Sequence, residues 1–416
     1  MTVRLRHLAA VNPPTPAFER LADQEELTFL PMEAVWPGER LDISRRRTKA
    51  EVVTGYTRFQ DGDILVPKIT PTFEAGRAVL INGLHSGVGA GTTELHVLRP
   101  SPRIDPRFLF YAVNTHSFLK IGKSEMYGVA GQQRVPDDFL RNLPVRLPPL
   151  EEQRRIADFL DAETARIDRL VFLRARQKDL LVEALMGRAA ETTGRVAVRQ
   201  GTSPGSWGRV PLRRAVRSVQ TGSTPAGLRE NDSGDVVEGG VMPWYTPAAL
   251  NEFMSVGRAD KAADVAETGG IPVFLPGSIL VVGIGESLGK VGYLDHRATG
   301  NQQLTALHPA ESVDGRFIAW QLWAAYEEIR AWAQYSRIRI INNDVLKSFP
   351  IALPPVEVQV AVRKGLDSDK QNLDRLRDAA DRFSKLMAER RQALITAAVT
   401  GQFDVSSASG RGIEVP

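Results

Sequence analysis

Apolar residues recur along two long proline-free stretches at the spacing of a helix seam. In the first, Ile156, Leu160, Ile167, Leu170, Leu181 and Ala184 follow an alternating four–three series, interrupted by Glu163, Arg174 and Gln177. In the second, Val362, Leu366, Leu373, Leu376, Ala380, Phe383, Met387, Leu394 and Ala397 do the same, interrupted by Asp369 and Arg390. Such seams predict two long helices that need partners, and each is the economical partner of the other. A helix over 151–187 spans roughly 55 Å. Paired antiparallel, the two form a coiled-coil spacer.

Elsewhere the pattern shortens. "GDILVPKI" (62–69), "ELHVL" (94–98) and "SILVVGI" (278–284) read as strands between Gly-rich turns. "PRFLFYAVNTHSFLKIG" (106–122) and "GRFIAWQLWAAYEEIRAWA" (315–333) read as helices. The globular parts are therefore α+β.

The pattern also repeats. "LRNLPVRLPPLEEQ" (140–153) returns 206 positions later as "LKSFPIALPPVEVQ" (346–359). Looser matches precede it in order: "VRLRHL" (3–8) with "VPLRRA" (210–215), "DGDILV" (61–66) with "PGSILV" (276–281), and "IDPRFLFY" (104–111) with "VDGRFIAW" (313–320). A repeat of this length means two copies of one unit, a globular part followed by a long helix, related by a pseudo-twofold. The proline pair explains the junction: it closes an extended segment and is tolerated at a helix start. Glu151 and Glu152 then fall in the first turn, where the helix dipole favours negative charge. Between the copies, 187–206 is polar and small and reads as a flexible connection. The last eleven residues, "SSASGRGIEVP", read as disordered.

Composition narrows the chemistry. Of 416 residues, 43% are hydrophobic and 25% charged, as in ordinary globular proteins. The absence of cysteine excludes disulfides and thiolate metal sites and fits a reducing, cytoplasmic setting. Six histidines lack ligand spacing. The opening residues, "MTVRLRHLAAVNPPTP", lack the long apolar stretch of a signal peptide, and the most apolar stretch, 271–285, is interrupted by Pro276 and reads as too short to span a bilayer. A net charge of +4 is compatible with nucleic acid.

Three motifs invite a catalytic reading and fail it. "GIGESLGKV" (283–291) lacks the phosphate-loop spacing and the hydroxyl after its lysine, and reads as a turn between strands. "SGVGAGTTE" (86–94) is followed by strand-like residues and reads as a loop. "NPPT" (12–15) has Thr15 where an adenine-gripping motif carries an aromatic ring. No cofactor site is read.

What remains is polar and basic. "SRRRTK" (44–49) presents Arg45, Arg46 and Arg47. "YGVAGQQRV" (127–135) carries Tyr127, Gln132, Gln133 and Arg134, and its counterpart "QYSRIRIINN" (334–343) carries Arg337, Arg339 and Asn342. "GNQQL" (300–304) adds Gln302 and Gln303, and Lys68 and Lys290 complete the candidates. Arg, Gln and Asn are the residue types that read base edges, and Lys and Arg meet phosphates.

"GQQRVPDDFLRNLPVRLPPLEEQRRIADFLD" (131–161), "FLPMEAV" (29–35), "TELHVLRP" (93–100) and "LMAERRQALITAAVTGQFD" (386–404) together resemble specificity subunits of type I restriction–modification enzymes. The resemblance covers nearly the whole chain, twice. It implies two target recognition domains, 1–148 and 206–354, each followed by a conserved helix, 149–187 and 355–402, with a linker at 188–205 and a tail at 403–416. It also implies that each domain reads one half of an asymmetric double-stranded DNA target and that the helices fix the gap. Two methyltransferase subunits carrying S-adenosylmethionine would dock on the helices, and motor and nuclease subunits would join them. The chain itself would do no chemistry. A modification-only adenine methyltransferase system, a scaffold that binds no DNA and a self-sufficient enzyme are the alternatives. One departure from symmetry stands out: Arg154 and Arg155 face Val360 and Ala361 in the second copy.

Overall fold

The computed structural model describes residues 1–34, 41–129, 133–231, 241–250, 254–264, 270–335 and 338–405. The chain divides into two compact units: 1–174 with 381–416, and 175–380.

Each unit carries the same two-sheet domain. In the first unit, Ala9–Val11, Leu95–Pro100, Ile64–Pro67 and Val79–Leu80 form one sheet in that order. Arg46–Thr48, Glu26–Leu30, Val88–Gly91 and Thr57–Gln60 form the other, with its two central strands parallel. In the second unit, Val216–Thr221, Leu304–Pro309, Ile279–Val282 and Val291–Tyr293 repeat the first order. Arg229–Glu230, Lys261–Asp264, Val241–Tyr245 and Thr299–Gly300 form the other sheet, whose last two strands are again parallel. A two-stranded ribbon closes each domain: Thr2–Arg4 with Pro144–Arg146, and Gly208–Pro211 with Pro350–Leu353. The first sheet and the ribbon thus repeat in full, while the second sheets share three strands and, among the described residues, carry their fourth on opposite edges.

The predicted helices stand, each split in two: Pro106–Ala112 and His116–Ser124, then Gly315–Ala324 and Tyr326–Trp332. "GIGESLGKV" is the turn between Ile279–Val282 and Val291–Tyr293, as read. "SGVGAGTTE" is not a loop. Val88–Gly91 is a buried central strand. Its glycines are packing residues: a Cβ on Gly89 would lie 2.1 Å from the Phe59 ring, and one on Gly91 2.3 Å from the Leu30 carbonyl oxygen.

The long helices run over Leu150–Thr192 and Val356–Thr400, each roughly 65 Å. Within the first unit, Asp168 pairs with Arg391 and the Arg174 guanidinium stacks over Phe383. Within the second, Arg188 pairs with Asp369 at 3.0 Å. Early residues of one helix meet late residues of the other, so the helices are antiparallel. Both also enter the domain cores. Ile156, Leu160, Ile395, Ala398 and Val399 pack with Phe108, Phe118 and Leu140. Leu185, Ala189, Leu366 and Leu373 pack with Phe317, Trp320 and Phe349.

The strict heptad seam is corrected at several positions. Ile156, Leu160, Ile167, Leu366 and Leu373 are buried, and Leu181, Val362, Phe383, Met387 and Leu394 are partly buried. Leu170 is 40% exposed and Leu376 51% exposed, and Ala184 is exposed while Leu185 and Ala189 are buried. The buried or half-buried positions 156, 167, 178 and 189 recur every eleven residues. Eleven residues are close to three turns of an undistorted helix, so a seven-residue series drifts off the contact face.

The segment 188–205, expected as a flexible connection, is in large part ordered. The helix continues to Thr192, and a second helix, Arg195–Arg199, follows. Thr193 and Arg195 are buried. The small polar residues concealed this because the burial mixes the Arg195 charge pair with the small apolar residues Ala189 and Val198, which make no continuous apolar pattern. Of the expected disordered tail, 406–416 lies outside the described residues.

Candidate nucleic-acid interface

In the first unit, backbone hydrogen bonds gather four candidates at the end of strand Ile64–Pro67. Tyr127 and Arg134 exchange N–H···O bonds at 3.2 and 2.9 Å, Thr70 N–H donates to the Gln133 carbonyl at 3.0 Å, and Val135 N–H donates to the Lys68 carbonyl at 2.9 Å. Tyr127 is 63% exposed. Lys68 Nζ donates to the Thr93 carbonyl at 3.0 Å. Arg134 is held in place: its Nε and Nη2 donate to the two Glu94 oxygens at 2.9 and 2.6 Å. That bond keeps Glu94 below the usual carboxylate range and raises Arg134. Gln132 lies outside the described residues.

The basic run belongs to the other sheet and is largely neutralised within itself. Arg45 pairs with Glu33 and Asp42 at 3.2 and 3.6 Å. Arg46 donates to the carbonyls of Ile43 and Arg45. Arg47 pairs with Glu51 at 2.9 Å and lies over the Phe29 ring.

The second unit gathers its candidates in the same manner. Gly285 N–H donates to the Arg339 carbonyl at 3.0 Å, Ile341 N–H to Gly283 at 2.9 Å, Gly283 N–H to Gln303 at 2.8 Å, and Val282 N–H to Lys290 at 2.9 Å. The loops bearing Lys290, Gln302, Gln303, Arg339 and Asn342 therefore form one cluster. Gln302 accepts from the Thr224 hydroxyl at 2.8 Å. Asn342 caps helix Asn343–Ser348, its Oδ1 accepting from Val345 N–H at 2.9 Å. That bond is a structural role for Asn342, of the kind capping side chains supply. Arg337 lies outside the described residues.

Beneath each cluster is a polar triad that sequence reasoning missed. Asn12 donates to Asp137 at 2.8 Å, accepts from Val97 N–H at 2.9 Å and meets His96 Nδ1 at 3.3 Å. "NPPT" is thereby a structural corner. His96 Nε2–H donates to the Val135 carbonyl at 2.9 Å, tying the triad to the polar loop, and Asp137 lies 3.1 Å from Nδ1. Burial pushes the His96 imidazole below its ordinary value. The counterparts are Thr221, Thr305 and Asn343: Asn343 donates to Thr221 at 3.1 Å, and Thr305 donates to Asn343 at 3.4 Å. The signal was partial: His96 and Thr305 hold the same place in matched strands and Asp137 and Asn343 share the repeat offset of 206, whereas the register sets Asn12 against Gln220, one place before Thr221. Different residue types at each pair hid it.

Each domain is also bolted to its long helix. Gln153 Oε1 accepts from Asp105 N–H at 2.8 Å, and its Nε2 donates to the Pro148 carbonyl at 2.8 Å. Gln359 does the same with Asp314 and Pro354, at 2.9 and 2.7 Å. Tyr111 donates to Asp161 at 2.6 Å, and Trp320 Nε1 to Asp367 at 2.9 Å.

The family model for the type I restriction modification DNA specificity domain matches residues 55–170 and 216–393. The chain belongs to that family. It is 42% identical over 156 residues to the type I restriction enzyme EcoAI specificity subunit of Escherichia coli, a match taking in 36% of this chain and 26% of that one. The EcoEI specificity subunit of the same organism is 41% identical over 158 residues, 37% of this chain and 26% of that one. The chain thus matches about a quarter of the length of these relatives. A solved chain, reported as the structural basis of complex assembly and conformational transition of the type I R-M system, superposes with a TM-score of 0.74. It covers 97% of this chain and 98% of its own at 20% identity, which shows the shared fold. Among the described residues, no helix is long and apolar enough to cross a membrane, and no His, Cys, Asp and Glu cluster could hold a metal ion.

Proposed function

We propose that the chain reads a split, asymmetric double-stranded DNA target, one part per recognition domain, and carries methyltransferase subunits on its long helices. The domains are 1–148 and 206–354, the subunits bring the chemistry, and restriction and motor subunits complete the assembly in the cytoplasm. The observation that carries this reading is the duplicated loop cluster. Each unit gathers Lys, Arg and Gln residues on loops at the end of the same sheet, beside a polar triad that in the first unit ties to its loop through His96 and the Val135 carbonyl. Rigidly backed loops with unlike side chains suit two unlike half-sites, since bases are read by positioned Arg, Gln and Asn.

The two clusters differ in their side chains, as with Tyr127 and Arg134, which face Ala333 and Ile340 at the repeat offset of 206, while the junctions beneath them stay alike. A scaffold that binds no DNA would have no use for that division between variable loops and repeated junctions. Mapping adenine methylation across the host genome with and without this gene tests the reading. A bipartite motif that disappears with the gene is expected; an unchanged pattern refutes it.

A further inference from the structure

We infer that Gln153 and Gln359 are positioning residues that set how far apart the two half-sites are read. The inference rests on the proposed reading of a split target and deepens it. Both glutamines are 1% exposed, and both sit at the point where a recognition domain passes into its long helix. Each amide uses both of its functions across that joint. The oxygen takes the backbone N–H of the aspartate that opens the domain's helix, Asp105 or Asp314. The nitrogen gives to the proline carbonyl that ends the domain's last extended segment, Pro148 or Pro354. Only an amide offers a donor and an acceptor on one planar group of this length.

A second fastening lies further along the same helix face. Tyr111 and Arg107 meet Asp161 in the first unit, and Trp320 and Arg316 meet Asp367 in the second. Two fastenings along one helix remove the freedom of the domain to pivot on that helix. Fold stability alone does not require this repetition. The domain cores already pack on the helices through Phe108 with Ile156 in one unit and Phe317 with Leu366 in the other. Apolar contact of this kind is non-directional and tolerates small rotations, whereas the paired hydrogen bonds do not. A pivot would move the reading loops along the DNA while leaving them intact, so the bases read would stay the same and the tolerated gap would widen.

The test uses the full chain in its own host with its native partners. Wild type, Gln153→Glu, Gln153→Met and Tyr111→Phe are expressed in a strain lacking the gene, and methylated sites are mapped. Gln153→Glu keeps the acceptor and loses the donor; Gln153→Met keeps the volume and loses both. The expected result is unchanged half-site bases, with methylation at gaps one base pair longer or shorter rising roughly fivefold or more over wild type, the scale of one lost hydrogen bond. For any variant that no longer methylates, binding of the purified chain to duplexes of each gap length gives the same readout. A variant that keeps the single wild-type gap with a lowered melting temperature would overturn the inference and leave Gln153 merely structural. A wild type that selects no bipartite motif would overturn the underlying reading, and the inference with it.

Discussion

Arg195 donates to both carboxylate oxygens of Glu328, from Nε at 3.1 Å and from Nη2. The guanidinium is 2% exposed, lies 4.4 Å from the Phe349 ring centre and also donates to the Pro350 carbonyl. A residue from a segment that reads as a linker is thus a buried fixture of the second unit. Removing one partner of a buried pair strands the other charge, at a cost of about 3 kcal/mol. Arg195→Met is expected to lower stability by that order in denaturant unfolding, and Glu328→Gln in the same background to recover part of it. Equal stability of wild type and Arg195→Met would mean the segment is the flexible connection its composition suggests.

The helix seam makes a sharper prediction now that burial separates its members. Leu373 is 4% exposed and Leu376 51% exposed. Leu373→Ala should cost about 2–5 kcal/mol, as core truncations do. Leu376→Ala should cost under about 0.5 kcal/mol, as surface substitutions do. Chemical denaturation of the two single variants checks this, and equal losses would contradict the assigned contact face.

Much of this was legible in the sequence, for physical reasons. A junction such as "LPPLEEQ" advertises itself because proline and the first helical turn impose local rules on residue type. The two-copy architecture followed from that junction recurring in order. The rest depends on contacts distant in sequence. Gln153 reaches Asp105, and Arg391 reaches Asp168, and no local pattern marks either pair. The glycines of Val88–Gly91 read as a loop because their reason is Phe59 lying against them. Among the binding candidates, Asn342 is a helix cap and Arg134 is bidentate to Glu94, roles that residue type alone does not distinguish from base reading.

Acid should weaken the fold through its buried histidines. Burial lowers both His96 and His308 below the ordinary value of 6.5. Around His96, Asp137 opposes the shift, while Lys68 and Arg141 add to it. A lowered folded value means the unfolded chain binds more protons as pH falls below 6.5, so stability rises with pH through that window and is lost on acidification. The melting temperature is expected to fall between pH 7 and pH 5.5, and His96→Gln to flatten that dependence. An unchanged slope in the variant would show that His96 does not contribute.

The loop clusters predict how single substitutions divide. Arg339→Ala should lower affinity for DNA, and the manner identifies the contact. A lost base contact costs about 1–3 kcal/mol and relaxes one position. A lost phosphate contact weakens all sequences alike and reduces the salt slope by about one. Arg134→Ala first releases Glu94, so Glu94→Gln is the control that separates a role in holding the loop from a role on DNA. Titrations of a duplex at several salt concentrations check both, and unaltered affinity, slope and preference at Arg134 and Arg339 would move the DNA face elsewhere.

The central claim is that two like-built domains read two unlike half-sites independently. The most direct measurement exchanges residues 1–146 for the corresponding part of a relative with another target and maps methylated sites in the host. Our account predicts that one half of the motif changes, while the other half and the gap stay as they were. A chimera in which both halves change together would contradict it.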